Sequence, residues 1–280
     1  TLGIILNIEE DHLDFFKNLD EIRKSFRNYA ERIPAHGALI INADIENYKE
    51  IVKDLPCKVI TYGLKNKNIN YRAGNISYDE IGRGQFDLVK DGNICGHFYL
   101  NVVGEHNISN ALSVIAVADL YHISYETVQK GFFEFRGADR RFEFKGKRNG
   151  FTIIDDYAHH PTEIEATLKS ALIYPHNHLW CLFQPHTYTR TRSFLKEFAT
   201  TLSYADKIIL TDIYAAREQD PGDISSADLA RELESIGKEV YYISDFDEIE
   251  KFILNNLVHD DLLITMGAGN VVSIGESLLK

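Results

Sequence analysis

One stretch of eleven residues indicates the fold of this chain most directly: Phe151-Thr152-Ile153-Ile154-Asp155-Asp156-Tyr157-Ala158-His159-His160-Pro161. Its apolar first part has the composition of a buried strand, and Pro161 can begin a helix, because the first helical position needs no N–H. Two carboxylates, a phenol and two imidazoles lie between the strand and the helix. Functional sites of α/β proteins commonly lie at such carboxyl ends of strands. A turn with a helix cap would explain one such residue. Because so many occur in succession, we predict a functional site.

Strand-like runs alternate with amphipathic helical patterns throughout the second half of the chain. The strand candidates are Phe151–Ile154, Leu179–Phe183, Ile208–Leu210, Val240–Ile243 and Leu262–Thr265. Such alternation predicts a parallel sheet with helices on both faces. The first half also mixes helices with strands, and short β segments between Tyr71 and Val103 include a hairpin turn at Asp91-Gly92. The predicted fold class is therefore α/β.

The length of 280 residues suits about two domains of ordinary size. The pattern changes near Gly137, so we predict one domain over residues 1–136 and another over residues 137–280. The chain begins without Met, directly in the apolar run from Thr1 to Ile8. Few natural chains start inside a core strand, so we expect this one to be a piece of a longer protein.

Composition argues against several classes of protein. The formal net charge of −12 speaks against a nucleic-acid surface, which needs clustered Lys and Arg. No apolar run approaches the roughly 20 residues that span a bilayer, and no leader pattern suggests export, so we expect no membrane insertion. Cys57, Cys95 and Cys181 form neither a zinc pattern nor a disulfide framework, which suits a reducing cytoplasm.

Other polar segments follow the predicted strands of the second half. Gln184 to Arg192 follows the second strand, Asp212 to Asp223 the third, and Gly267 to Asn270 the last. A parallel sheet would gather all of them along one edge. The Gln184 to Arg192 run, which would lead into a helix carrying Phe194 and Phe198, suits an anion pocket, although helix capping and solvated Arg side chains explain it too. The last segment lacks the third glycine of a dinucleotide fingerprint and predicts a tight strand-to-helix turn.

Three further motifs each admit a functional and a structural interpretation. Arg140 and Arg141 offer planar forks of donors for phosphate or carboxylate, or could form an ion pair between domains. The acidic segment from Glu9 to Asp14 suits a divalent ion or a phosphate, or merely an acidic helix start. Asn107 and Asn110 would share one face at the start of a helix, where they could read an adenine edge or serve helix capping.

Taken in order, these segments resemble the motifs of the Mur ligase family, the ATP-dependent amide-forming enzymes of peptidoglycan synthesis. The order is Asn7 to Asp14, Gly104 to Asn110, Gly137 to Phe142, and Asp155 to Pro161. The resemblance covers essentially the whole chain. It implies the later part of a central ATP-binding domain over residues 1–136, without its phosphate loop, and a C-terminal Rossmann-like ligase domain with a mainly parallel sheet over residues 137–280.

Within the family, the double His at His159 and the run from Gln184 to Arg192 are most similar to members that join L-alanine to UDP-N-acetylmuramate. The resemblance implies a reaction that uses ATP and Mg²⁺, in which the lactyl carboxylate becomes an acyl phosphate that the amine of L-alanine attacks. Without the phosphate loop, the chain is expected to be inactive alone. Two alternatives stay open: a ligase that attaches a recycled murein peptide to the same sugar, and a fragment that only binds. A nicotinamide-dependent dehydrogenase is a more distant alternative.

The resemblance also implies roles for individual side chains. The magnesium ion would lie at His12, and the adenine would contact His106, Asn107 and Asn110. The phosphate and ribose region of the nucleotide would be bound by Arg141 and Asp156. The muramyl carboxylate and the incoming amino acid would face His159, His160 and Arg190. The residues expected to serve catalysis are Arg141, Asp156, His159 and His160.

Overall fold

The structure, a computed structural model, describes residues 1–11 and 15–280. The described chain divides into two compact units, Thr1–Arg136 (unit 1) and Gly137–Lys280 (unit 2), each with its own sheet. His12, which the resemblance assigns to magnesium, lies outside the described residues. In the described part of the chain, no helix is both long enough and apolar enough to cross a membrane.

Unit 1, as far as the structure describes it, is built on a six-stranded sheet in which the strands follow the chain order. They are β1 (Leu2–Ile5), β2 (Ala38–Asn42), β3 (Lys58–Gly63), β4 (Tyr71–Tyr78), β5 (Arg83–Lys90) and β6 (Asn93–Val103). The pairs from β1 to β4 are parallel, whereas β5 pairs antiparallel with both β4 and β6. Asp91 and Gly92 join β5 to β6 as predicted, with φ angles of 46° and 86° that suit a two-residue hairpin turn.

The helices of unit 1 are α1 (Leu19–Glu31), α2 (Tyr48–Val52), α3 (Glu105–Leu120) and α4 (Tyr125–Glu134). The helix predicted to begin near Asn107 is α3, and it buries Ile108 and Ile115 completely in a core that includes Phe86 of the sheet. Burying each such side chain contributes roughly 1.5–3 kcal/mol. Helix α2 is short, because Asn47 before it is left-handed with φ 59° and Lys53 after it has ψ 130°.

Unit 2 contains a six-stranded sheet in the order β11-β10-β9-β12-β8-β7. The strands are β7 (Glu143–Arg148), β8 (Phe151–Asp156), β9 (Leu179–Phe183), β10 (Lys207–Leu210), β11 (Glu239–Tyr242) and β12 (Leu262–Met266). All neighbours are parallel except β7, which is antiparallel to β8. The five predicted strands are all present with small differences at their ends, β7 was not predicted, and the α/β fold class is confirmed.

Helices cover both faces of this sheet, as predicted. They are α5 (Pro161–Ala171), α6 (Tyr188–Ser193), α7 (Leu195–Leu202), α8 (Ser226–Ser235), α9 (Phe246–Asn256) and α10 (Val272–Ser277). Strand residues alternate between two cores: Ile154 and Phe183 pack with Phe198 of α7, and Ile153 and Trp180 belong to the core that contains α9 residues. The Gln184 to Arg192 run leads into the helix that carries Phe198, as predicted, and this helix is α7 with Phe194 at its N-cap. The short helix α6, which begins at Tyr188 inside the run, was not predicted.

Candidate functional site

The polar segments of unit 2 meet at the carboxyl edge of its sheet. Strand β12 lies between β8 and β9, so the segments that follow these three neighbouring parallel strands are adjacent. They carry Asp155 to His160, Gln184 to Arg190, and Gly267 to Asn270. The segment after β10 joins them through a bridge between His186 and Tyr214. The structure therefore brings together the segments that the sequence placed at one edge.

Arg140 and Arg141 are adjacent in sequence but have different environments. Arg140 points into unit 2, where Nε donates to Asp155 Oδ2 at 3.0 Å, and Nη1 and Nη2 donate to the carbonyl oxygens of Gly269 and Gly267 at 3.2 and 2.6 Å. This ion pair lies within unit 2. The Arg141 side chain is 51% exposed, and its Nη1 lies 3.5 Å from Glu163 Oε1. Of the two, Arg141 has the guanidinium that a ligand can reach.

Asp155 is completely buried at the end of β8, and its charge is balanced inside the protein. Besides the bond from Arg140, Oδ1 accepts a hydrogen bond from Thr265 Oγ1 at 2.6 Å. Burial raises the pKa of Asp155, while the bonds from Thr265 and Arg140 oppose that rise. Asp155 therefore anchors Arg140 and the end of β12 rather than facing a ligand.

Asp156, a predicted catalytic residue, is 4% exposed and already holds three hydrogen bonds. Oδ2 accepts from the N–H of Phe142 at 2.9 Å and from Thr167 Oγ1 at 3.1 Å, and Oδ1 accepts from the N–H of Ala158 at 2.8 Å. Burial raises the pKa of Asp156 to about 6, although these donors oppose the rise. A carboxylate has about four acceptor positions, so these three bonds do not use all of them.

His159 and His160 also have different roles in the structure. Nδ1 of His159 donates to the carbonyl oxygen of Tyr157 at 2.9 Å, so in the neutral ring the lone pair is on Nε2. His160 is 8% exposed and packs on Phe194 with ring centroids 4.9 Å apart. Its Nδ1 accepts from the N–H of Thr162 at 3.4 Å, which makes His160 the N-cap of α5. The contacts of His160 are those of a helix cap, so its role is structural. Those of His159 leave it the better candidate of the two for a role in the reaction.

A row of rings runs along this edge and connects the histidine loop to Arg190. Tyr157 packs against His159 with centroids 5.4 Å apart, His159 against His186 at 5.5 Å, and His186 stacks on Tyr214 at 5.8 Å. Arg190 Nη1 donates to His186 Nδ1 at 3.0 Å, so neutral His186 carries its proton on Nε2. His159 and Arg190, both predicted site residues, therefore contact the same imidazole.

The backbone at Thr187, between β9 and α6, is strained. Its φ of 67° and ψ of 145° are rarely adopted by β-branched residues. The conformation is held by the N–H of Thr187, which donates to the carbonyl oxygen of Tyr214 at 2.9 Å, and by Oγ1, which accepts from the N–H of Arg190 at 3.4 Å. Strain of this kind costs about 1–3 kcal/mol and clusters at functional sites.

Gly267 and Gly269 form the tight strand-to-helix turn that the sequence predicted after β12. A Cβ on Gly269 would overlap Gln184 Oε1 and lie 2.8 Å from the Tyr214 ring, and a Cβ on Gly267 would lie 2.7 Å from the Gln184 carbonyl oxygen. Gln184 Nε2 in turn donates to Asn270 Oδ1 at 3.0 Å. Close packing against the segment after β9 therefore accounts for both glycines.

The predicted adenine-binding residues lie in unit 1 at the start of α3. Asn107 Nδ2 donates to the carbonyl oxygen of Val103 at 2.7 Å. Asn110 Nδ2 lies 3.5 Å from Asn107 Oδ1, so the two side chains share one helix face as expected. His106 is exposed in the first turn, and Gly104 before the helix has φ 96°, a conformation that favours glycine.

No group of three or more His, Cys, Asp or Glu side chains is arranged to hold a metal ion within the residues that the structure describes. Glu9, Glu10 and Asp11 follow β1, and His12 is outside the described part.

Four residues of the unit 2 edge are absent from the predicted set: Tyr157, Glu163 and His186, which contact its members, and Tyr214, which stacks on His186. Tyr157 and His186 lie inside the motifs that drew attention to the site, so a signal for them existed. Glu163 has the ordinary sequence pattern of an acid in the first turn of a helix, which indicates capping. Tyr214 follows β10, and only the folded sheet brings it against His186.

Comparison with known families covers both units. The family model described as "Mur ligase middle domain" matches residues 1–118, and the one described as "Mur ligase, glutamate ligase domain" matches residues 140–269. The chain belongs to the Mur ligase family, which confirms the resemblance inferred from its motifs.

Comparison with individual proteins gives a narrower similarity than the family models do. The UDP-N-acetylmuramate–L-alanine ligase of Lachnoclostridium phytofermentans is 52% identical over 99% of this chain and 61% of that protein. The ligase of the same name from Agathobacter rectalis is 53% identical over 99% and 60%. The solved structure of the UDP-N-acetylmuramate-alanine ligase of Thermotoga maritima has a TM-score of 0.79 at 26% identity, covering 99% of this chain and 58% of that one. The chain therefore spans about 60% of the length of the curated relatives it matches.

Proposed function

We propose that the parent protein, meaning the natural protein that carries this chain, joins L-alanine to UDP-N-acetylmuramate with consumption of ATP, in peptidoglycan precursor synthesis. One observation carries this proposal: relatives of that name match 99–100% of this chain at 44–53% identity. Because the chain spans about 60% of those relatives, the activity is proposed for the parent protein, and the chain alone is expected to be inactive.

The proposed reaction has two steps. An oxygen of the lactyl carboxylate attacks the γ-phosphorus of ATP, ADP leaves, and an acyl phosphate forms. The amine of L-alanine then attacks the acyl carbon, the bond to phosphate breaks, and an amide, inorganic phosphate and a proton result. Phosphoryl transfer depends on positioning and on neutralising negative charge more than on covalent help. Cationic side chains at the sheet edge are therefore what this chain must supply.

Arg141 and Asp156 are proposed to bind the phosphate and ribose region of the nucleotide. The guanidinium of Arg141 is half-exposed, which supports a direct contact with phosphate oxygens. The bonds from Phe142, Ala158 and Thr167 do not use all the acceptor positions of Asp156, which suits a contact with a ribose hydroxyl. These three bonds keep the carboxylate fixed before a ligand arrives.

His159 and Arg190 are proposed to face the muramyl carboxylate and the incoming amino acid. The lone pair on Nε2 of neutral His159 makes this residue the better candidate for accepting a proton from the attacking amine. Arg190 supplies positive charge beside His186 at the same edge. His160 is proposed to assist indirectly, as the cap that fixes the loop at the start of α5.

The nucleotide's adenine is proposed to contact His106, Asn107 and Asn110, which lie together in the first turns of α3. Magnesium is proposed to bind at His12, and this proposal rests on the family resemblance alone. The parent protein is proposed to act in the cytoplasm, and the three free cysteines support a reducing compartment.

The test is an amide-product assay on the parent protein with ATP and UDP-N-acetylmuramate, in which L-alanine and a murein tripeptide are compared by mass spectrometry. The proposal predicts a product with L-alanine and none with the tripeptide. A product with the tripeptide alone would favour a peptide-recycling ligase, and no product with either would refute ligation. Turnover by the isolated 280-residue chain would contradict its expected inactivity.

A further inference from the structure

Glu163, in the first turn of α5, contacts three separate groups of the unit 2 edge with one carboxylate. Oε2 accepts hydrogen bonds from the backbone N–H groups of His159 at 3.1 Å and His160 at 3.3 Å. The same oxygen lies 3.3 Å from His159 Nδ1, and Oε1 lies 3.5 Å from Arg141 Nη1. Glu163 therefore joins α5 to the histidine loop and to the exposed guanidinium.

Helix capping accounts for only part of this arrangement. A capping box needs one bond from the acid back to the N–H of the N-cap residue, which is His160. The contacts with His159 and Arg141 go beyond that bond and use the second carboxylate oxygen. A Gln side chain serves a capping box as well as Glu does, whereas only the charged acid attracts a guanidinium.

The position of the Arg141 side chain matters because it is long and 51% exposed. Such a side chain loses rotamer freedom when it is fixed. The Glu163 carboxylate, 3.5 Å away, and the ring of Tyr157, 5.6 Å away, both neighbour the guanidinium and restrict it before any ligand binds. Restricting a binding group in advance reduces the entropy lost on binding.

We propose that Glu163 is a positioning residue, which acts on the nucleotide through Arg141 and on the incoming amino acid through His159 without touching either substrate. This inference rests on the proposed function. The proposed role of Glu163 goes beyond what a helix cap requires. The same carboxylate lies 3.3 Å from His159 Nδ1, while Nδ1–H itself donates to the Tyr157 carbonyl oxygen, so both groups surround that side of the ring.

The test uses the parent protein with Glu163→Gln, and Glu165→Gln as the matched control. Glu165 lies on the same helix but pairs with Lys169 at 2.6 Å, away from Arg141. Calorimetric titration with ATP is expected to show about a tenfold weaker Kd for Glu163→Gln, within the usual coupling of neighbouring charged residues, and no change for the control. Thermal unfolding is expected to be similar for the two variants, because Gln keeps the capping bond.

A double-mutant cycle separates positioning from a merely structural effect. In an Arg141→Met background, Glu163→Gln is expected to weaken ATP binding no further, because its effect passes through the guanidinium. Full additivity, or ATP affinity equal to that of Glu165→Gln, would overturn the inference while leaving the ligase function intact. Absence of ATP binding and of alanine ligation in the unsubstituted parent would refute the proposed function and the role of Glu163 with it.

Discussion

Asp155 and Arg140 form an ion pair at the end of β8, with 3.0 Å between Asp155 Oδ2 and Arg140 Nε. The Asp155 side chain is fully buried, and that of Arg140 is 23% exposed. The guanidinium also donates to the carbonyl oxygens of Gly267 and Gly269, so a single side chain ties the segment before β7 to the ends of β8 and β12. The ion pair between Arg140 and Asp155 thus stabilises the sheet edge that carries the proposed site, and its carboxylate is buried inside unit 2.

Replacing Arg140 with Met is expected to lower the free energy of unfolding by about 3 kcal/mol, since it leaves a buried carboxylate without its partner. Urea unfolding measures this change. Arg192→Met is the control, because Arg192 pairs with Asp223 on the surface and the loss there is expected to be about 0–1 kcal/mol. Equal losses in the two variants would contradict the structural role given to Arg140.

Asp156 is expected to make stability depend on pH. Burial raises its folded pKa to about 6 from an ordinary 3.8, so the folded state holds the proton more tightly than the unfolded state. Its contribution to stability is therefore fully present below the unfolded pKa and is lost as the pH rises through about 6. A shift of this size corresponds to about 3 kcal/mol.

The measurement is the difference in unfolding free energy between the unsubstituted chain and Asp156→Asn from about pH 4 to pH 7. Because Asn stays neutral, the unsubstituted chain should lose about 2 kcal/mol relative to the variant across this range. If the difference in unfolding free energy does not vary with pH, or if the unsubstituted chain gains stability over the variant as the pH rises, burial does not raise the pKa of Asp156.

Thr167 is expected to matter through Asp156. Thr167→Val removes the hydroxyl that donates to Asp156 Oδ2, and it should raise the pKa of Asp156 further and cost about 1.5–3 kcal/mol near neutral pH. Thr201→Val is the control, because the Thr201 hydroxyl donates to the uncharged carbonyl of Glu197. Urea unfolding at several pH values compares the two, and only Thr167→Val should change the pH profile.

Gly269 is expected to tolerate no side chain. A Cβ there would overlap Gln184 Oε1 and crowd the Tyr214 ring, so Gly269→Ala should destabilise unit 2 by about 1–3 kcal/mol. Gly131→Ala provides the opposite case, because Gly131 lies inside α4 with no atom within 4 Å of its Cβ position. Alanine there should stabilise by up to about 1 kcal/mol. If urea unfolding shows that Gly269→Ala and Gly131→Ala change stability in the same direction, the packing role given to Gly269 is contradicted.

The strands of unit 2 could be predicted because burial on both faces leaves uninterrupted apolar runs. Leu179–Phe183, completely buried, was predicted with its observed ends. Strand β7 was missed because Glu143–Arg148 contains mostly charged residues, and its conformation depends on pairing with β8. Helix α10 follows the strand-to-helix turn that the sequence predicted after the last strand, and it is only six residues long.

The site could be predicted only as a set of segments. Their convergence follows from strand ends, which the sequence indicates, whereas the environment of each side chain depends on tertiary contacts. The left-handed backbone of Arg140, with φ 59°, is one such detail, and neighbouring Arg141 lies half-exposed. Two of the three bonds to Asp156 come from Phe142 and Thr167, fourteen and eleven positions away, and no local pattern contains them.

The central claim is that the exposed guanidinium of Arg141, at the carboxyl edge of the unit 2 sheet, serves the nucleotide. Phosphate release by the parent protein, dependent on both ATP and L-alanine, tests it most directly with Arg141→Ala and the surface control Arg192→Ala. We predict that kcat/KM falls about 100-fold for Arg141→Ala, as when a preorganised charge-stabilising donor is removed, and stays nearly unchanged for the control. A near-normal rate for Arg141→Ala in a folded protein, or equal losses in both variants, would contradict it.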